Sequence, residues 1–145
     1  MKVKDLMSKN PAVATPDTTL TKVAQMMVAE NVGAIPVVEN KDSQKVVGMI
    51  TDRDIATRTV ALDKNPLMMK AADIMSTEVV TVRVSDDIED VARLMEMNQV
   101  RRLPVIDEMG KVCGIVAQAD IALKGSDELT STVVEGISKP DETKK

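Results

Sequence analysis

The chain contains no histidine, no phenylalanine, tyrosine or tryptophan, and one cysteine among its 145 residues. Without histidine it lacks the side chain most used to move protons near neutral pH, and also the commonest metal ligand. An enzymatic role is disfavoured: no catalytic constellation is visible and no metal site is expected. Without aromatic rings there is no platform for nucleobase stacking, which single-stranded nucleic-acid binders generally use. The formal net charge of −4 also disfavours a polyphosphate partner, so no nucleic acid is expected. The lone Cys113 can form neither an internal disulfide nor a Cys-x-x-Cys metal site. In the apolar run KVCGIV it reads as a small core residue, which suits a reducing, cytoplasmic compartment. Long apolar stretches are missing too: no segment approaches the roughly 20 apolar residues of a membrane helix. The start, MKVKDLMSKNP, is not followed by an apolar run of signal-peptide length. The expectation is a cytoplasmic protein with no membrane partner and no required cofactor.

What is present is an internal repeat. DLMS at Asp5 recurs as DIMS at Asp73, a shift of 73 − 5 = 68. The same shift carries Val23, Ala24 and Met27 onto Val91, Ala92 and Met95, and IPVV (Ile35 to Val38) onto LPVI (Leu103 to Ile106). Beyond this the shift becomes 114 − 48 = 66, because the loop ENKDSQK is two residues longer than DEMGK. Length changes belong in hairpin loops. GMITDRDI at Gly48 is then matched by GIVAQADI at Gly114. Units of about 60 residues bury too little surface to be secure alone, so the copies are expected to share a core. A hydrophobic content of 43% and a charged content of 29% are enough for a globular fold, with the eleven methionines serving as flexible filler where aromatics are absent.

Each copy reads strand, helix, strand, strand, helix, an α/β plan. Short extended pieces, AVAT and VVTV, precede helices whose apolar positions Leu20, Val23, Ala24, Met27 and Val28, and Ile88, Val91, Ala92 and Met95, follow helical spacing. Thr18 or Thr19, and Asp86, are the candidate helix caps. The β-branched runs AIPVV, KVVGMI, RLPVI and KVCGIV read as strands. Repeat 1 is placed at residues 1–60, a linker at 61–70, repeat 2 at 71–125, and a C-terminal helix with a disordered tail at 126–145. In that last segment Leu129, Val133 and Ile137 share one helical face.

The motif TDRDI admits two readings. Thr51 and Asp54 have the spacing of a capping box, in which the threonine caps the helix and the carboxylate answers from its third position. Alternatively, a strand-to-helix turn presents a hydroxyl and a carboxylate that can grip the vicinal hydroxyls of a ribose. The two are compatible, since one carboxylate oxygen can cap while the other accepts from a sugar. The second copy keeps Asp120 but has Ala117 in place of the threonine.

PVVENKDSQKVVGMITDRDI and RRLPVIDEMGKVCGIVAQADI, each preceded by a D-[LI]-M-S start and a helix, resemble a tandem pair of cystathionine beta-synthase (CBS) domains, a Bateman module, over about residues 1 to 125. The resemblance implies two β-α-β-β-α repeats about a pseudo-twofold axis, small sheets packed through helices, and a homodimer. It also implies clefts for AMP, ADP, ATP or S-adenosylmethionine, with the motif's threonine and aspartate on the ribose. On that basis the better cleft has Met49, Thr51 and Asp54 from one copy and Val79, Val80, Val100, Arg101, Arg102 and Pro104 from the other. Arg101 and Arg102 then serve phosphate, or are an ordinary solvated pair. A weaker cleft has Ala12, Val32, Ile115 and Asp120, with Gly33 and Ala34 where the better one has arginines. Pro36 and Pro104 either mark edge strands or face a ligand. The function expected is a non-enzymatic sensor of an adenosine nucleotide acting on an unknown protein partner. The alternatives are an S-adenosylmethionine-binding module, or an interaction module whose clefts are vestigial.

Overall fold

The structure, a computed structural model, describes residues 1–125. The predicted helix carrying Leu129, Val133 and Ile137 lies outside the described residues. In chain order the elements are α1 (Val3–Leu6), β1 (Ser8–Lys9), α2 (Leu20–Glu30), β2 (Ala34–Val38), β3 (Val46–Thr51) and α3 (Asp52–Arg58). Two 3-10 turns, Val60–Leu62 and Pro66–Met68, lead to α4 (Ala71–Ile74), β4 (Val82–Arg83) and α5 (Ile88–Asn98). Then come β5 (Arg102–Ile106), β6 (Val112–Ala117) and α6 (Gln118–Asp120), which runs into a π-helical turn at Ile121–Gly125. Among the described residues no helix is long and apolar enough to cross a membrane.

The α2 and α5 helices are built alike. At the start of α2, Thr18 Oγ1 accepts from Thr15 N at 2.9 Å, so Thr19 becomes the cap and accepts from Lys22 N at 3.2 Å. In α5 the sequence expectation is corrected. Asp86 accepts from Arg83 N at 2.9 Å, closing the preceding turn, and Asp87 takes the cap position without a side-chain cap bond. Both helices end on a left-handed residue, Asn31 with φ 56° and Gln99 with φ 55°. There Val32 N donates to Met27 O, and Val100 N to Met95 O, each at 3.0 Å. These bonds satisfy carbonyls that a helix end leaves unpaired.

The chain divides into two compact units. One comprises Asn10–Val80 with Glu108–Val112; the other comprises Met1–Lys9, Thr81–Asp107 and the described residues from Cys113 onward. Each unit therefore holds the body of one sequence repeat and the leading segment of the other. The backbone bonds that seat these exchanged segments correspond under the 68-residue shift. In the first unit Leu20 N donates to Met69 O at 3.0 Å, Ala71 N to Thr18 O at 2.8 Å and Ala72 N to Pro16 O at 3.0 Å. In the second, Ile88 N donates to Met1 O at 3.0 Å, Val3 N to Asp86 O at 3.0 Å and Lys4 N to Val84 O at 3.1 Å. The Asp of each D-[LI]-M-S start closes its short helix: Asp73 accepts from Lys70 N at 2.8 Å and Asp5 from Lys2 N at 2.9 Å.

In the first unit β2 pairs antiparallel with β3, from Ala34↔Thr51 through Pro36↔Met49 to a bulge at Val37/Val38. All five residues of β2 are buried, because Ala14 flanks its other side through Ala14 N to Pro36 O at 3.0 Å and Val38 N to Ala14 O at 2.8 Å. The core gathers Ala14, Leu20, Val23, Ile35, Val37, Ile50, Ala71 and Ile74. In the second unit the sheet order is β1-β6-β5-β4, with β1 antiparallel to β6 and β4 parallel to β5. Strand β5 is thus an inner strand. Pro104 avoids a lost ladder bond with β4 by lying ahead of the paired stretch, Val82↔Val105 and Arg83↔Ile106.

The glycine that opens each strand-to-helix motif is fixed by the exchanged segment. A Cβ on Gly48 would lie 2.7 Å from Met75 Sδ and 3.0 Å from Ser76 O. On Gly114 it would lie 2.7 Å from Met7 Sδ and 2.9 Å from Ser8 O. Only hydrogen fits where the D-[LI]-M-S segment crosses the strand.

Candidate functional site

Strand β3 delivers Thr51 to the start of α3, and the turn there is a closed capping box. Asp54 N donates to Thr51 Oγ1 at 3.1 Å, and Thr51 N donates to Asp54 Oδ2 at 2.9 Å. Asp52 N donates to Gly33 O at 3.0 Å, tying the turn to the start of β2. The helix places Asp52 and Asp54 in its first turn and Arg58 in its last, matching the helix dipole at both ends. The other oxygen of Asp54, Oδ1, is 3.7 Å from Arg58 Nε, an i,i+4 pair in which the carboxylate side chain is only 16% exposed. Arg58 also donates from Nη1 to Ile74 O at 2.9 Å. The capping and ion-pairing halves of the carboxylate are therefore separate atoms.

Beside this turn, Met49 N donates to Ser76 O and Ser76 N to Met49 O, each at 3.0 Å. Met49 is buried, and the chain continues from Ser76 to half-buried Val79 and Val80. An open cavity of about 350 Å³ is lined by Arg58, Met75, Ser76, Thr77 and Glu78. One unit therefore holds Met49, Thr51, Asp54, Val79 and Val80, together with Ala12 and Val32 of the weaker set.

The other unit holds Val100, Arg101, Arg102 and Pro104, together with Ile115 and Asp120. Arg101 is exposed, Arg102 half-buried and Pro104 buried. Its strand-to-helix turn keeps the backbone tether, with Gln118 N donating to Arg101 O at 2.7 Å. Ala117 supplies no side-chain cap, and nothing among the described residues bonds the half-buried Asp120 carboxylate. Cys113 is a free, half-buried thiol whose pKa is pushed up by burial and by the charge of Asp107, which disfavours the thiolate. Among the described residues no group of histidine, cysteine, aspartate or glutamate could hold a metal ion.

Sequence reasoning missed Arg58 and the run Met75–Glu78. Arg58 had a legible signal, since Asp-x-x-x-Arg at helical spacing puts the two charges on one face. The run Met75–Glu78 had none, because its place beside β3 depends on the exchange of leading segments.

The sequence profile of the CBS domain family matches residues 3–60 and 71–126. The chain is 41% identical over 138 residues to the CBS domain-containing protein YhcV of Bacillus subtilis, covering 94% of each chain. Among solved structures, it resembles the CBS domain pair of protein MJ0100 in complex with 5'-methylthioadenosine and S-adenosyl-L-methionine. The TM-score there is 0.79 at 29% identity, over 88% of this chain and 98% of that one. It also resembles CBSX2 in complex with AMP, with a TM-score of 0.73 at 29% identity, over 89% of this chain and 98% of that one. With two profile matches on two repeats and the same pair architecture in its structural neighbours, the chain belongs to the CBS domain family, as a tandem pair.

Proposed function

We propose that this chain is a non-catalytic, cytoplasmic sensor that binds an adenosine nucleotide, AMP, ADP or ATP, at the Thr51–Asp54 turn and works as a homodimer. The observation that carries the reading is the turn itself, where a hydroxyl and a carboxylate stand together at the end of a strand buried at Gly48, Met49 and Ile50. Met49, Val79 and Val80 supply the apolar surroundings of the nucleoside in this proposal, with Val100 and Pro104, while Arg101 and Arg102 bind phosphate. Asp120, with Ala12, Val32 and Ile115, forms the poorer site. The AMP complex of CBSX2 supports a nucleotide. The S-adenosylmethionine complex of the MJ0100 pair supports a second reading, in which the ligand is a sulfonium nucleoside. To signal, the ligand must bind one conformation of the protein more tightly than another, and a protein partner must read the difference.

A thermal-shift panel of AMP, ADP, ATP, S-adenosylmethionine, GTP and buffer tests the proposal. A ligand at 100 times its dissociation constant stabilises the fold by about 2.7 kcal/mol. Stabilisation by no adenosine compound would leave an interaction module with vestigial sites. Replacing Arg101 and Arg102 together with Ala is expected to weaken nucleotide binding and leave adenosine nearly unchanged. Equal losses for both would mean a distorted site.

A further inference from the structure

Arg58 commits part of its guanidinium within its own unit. Nη1 donates to Ile74 O at 2.9 Å, and Nε lies 3.7 Å from Asp54 Oδ1. Its Nη2 has no partner among the described residues, and neither do the hydroxyls of Ser76 and Thr77. All three residues line the open cavity of about 350 Å³, with Met75 and Glu78 completing the wall. A planar guanidinium already held at two of its nitrogens loses little freedom when it bonds an oxyanion, and such charge-assisted bonds are the strong ones. We infer that Arg58, Ser76 and Thr77 form an oxyanion subsite, for a phosphate or carboxylate oxygen, that acts independently of Arg101 and Arg102.

The inference rests on the adenosine proposal for the rest of the ligand, because Ser76 is paired with Met49, two residues before Thr51. A ligand whose ribose sits on Asp54 and whose acidic group reaches Arg58 engages both charges of the Asp54–Arg58 pair. Exposed Glu78 opposes an anion, which supplies an internal check.

The test uses the full chain and two probes. Inorganic phosphate is titrated while the backbone amides of Ser76 and Thr77 are followed by NMR, and AMP and adenosine affinities are measured by calorimetry. In the wild type, phosphate is expected to shift both amides. Arg58→Ala is expected to abolish those shifts and to weaken AMP roughly tenfold or more while changing adenosine far less. Arg58→Lys, which keeps the charge without the fork, is expected to fall between. Thr77→Ala, at an exposed position, keeps the question answerable if loss of the Ile74 tether unfolds the arginine variants, and is expected to weaken AMP a few-fold. Glu78→Gln is expected to strengthen phosphate binding about twofold. The Arg101→Ala/Arg102→Ala protein should retain the phosphate-induced shifts. Equal losses of AMP and adenosine in Arg58→Ala would overturn the inference, because Arg58 would then act only by positioning Asp54. Wild-type amides that ignore phosphate would overturn it too. If neither AMP nor adenosine binds the wild type, the adenosine proposal falls while the phosphate titration alone decides the subsite.

Discussion

The turns at Thr51–Asp54 and Ala117–Asp120 begin from the same backbone tether. Asp52 N reaches Gly33 O at 3.0 Å in one, and Gln118 N reaches Arg101 O at 2.7 Å in the other. The helices that grow from the two tethers differ. With both halves of the capping box and an i,i+4 partner for Asp54, α3 runs seven residues. Without the threonine, α6 lasts three residues before the π-helical turn. The tether is a backbone property and survives sequence change, whereas the helix beyond it depends on two side chains satisfying its first free N–H groups. The same two side chains are the proposed ribose grip, so one substitution, threonine for alanine at position 117, would alter cap and site together.

The largest expected effect separates the two turns by ligand. Asp54→Ala is expected to weaken nucleotide binding by roughly 10- to 150-fold, the value of a charged hydrogen bond of about 1.5 to 3 kcal/mol, and Asp120→Ala to change the tightest site little. Calorimetric titration of both variants, each first shown to be folded by circular dichroism, decides it; equal losses would erase the division of labour between the copies. Next comes a feature on which the repeats should agree. Gly48→Ala and Gly114→Ala each drive a methyl group into a methionine side chain and a serine carbonyl, and each is expected to cost about 1 to 3 kcal/mol in urea denaturation. If one is neutral, the leading segment in that unit is held less tightly than its backbone bonds suggest.

Cap exchange gives a smaller effect of opposite sign in the two turns. Thr51→Ala is expected to destabilise by about 1 kcal/mol, and Ala117→Thr, which completes the missing pair with Asp120, to raise the thermal midpoint modestly. No gain from the second would mean that the short α6 has another cause. The smallest difference concerns Cys113, whose counterpart is Val47 by the shift 113 − 66. Its pKa is raised, so the folded protein favours the neutral thiol. The associated stability is intact below the ordinary thiol pKa and is lost as pH rises through the raised one. Alkylation by iodoacetamide at pH 8 is expected to be slower in the folded protein than in urea; equal rates would remove the reading of Cys113 as a packing residue.

Much of the fold was legible because it is local. Strands β2 and β5 begin and end where the β-branched runs do, and α2 and α5 carry the predicted apolar faces. The cap of α5 was misplaced by one residue because two acidic residues compete there, and the turn back to Arg83 claims Asp86 first. The same competition settles Thr19 over Thr18. The pairing of Thr51 with Asp54 was readable from spacing alone. The neighbourhood of that pair was not, since Ser76 reaches Met49 only through a chain exchange that leaves no periodic trace.

That exchange also bears on how the protein is made. Residues 1–9 are synthesised well before their partners, which lie in residues 81–107 and in β6, near the end of the described chain. The other unit waits for its own leading segment and then for residues 108–112, where Val112 N donates to Gln44 O at 3.0 Å. Contacts of such long sequence separation slow folding, and neither unit is complete while the second copy is still being synthesised. Cutting the chain between the repeats would give two fragments, each carrying a leading segment that belongs to the other.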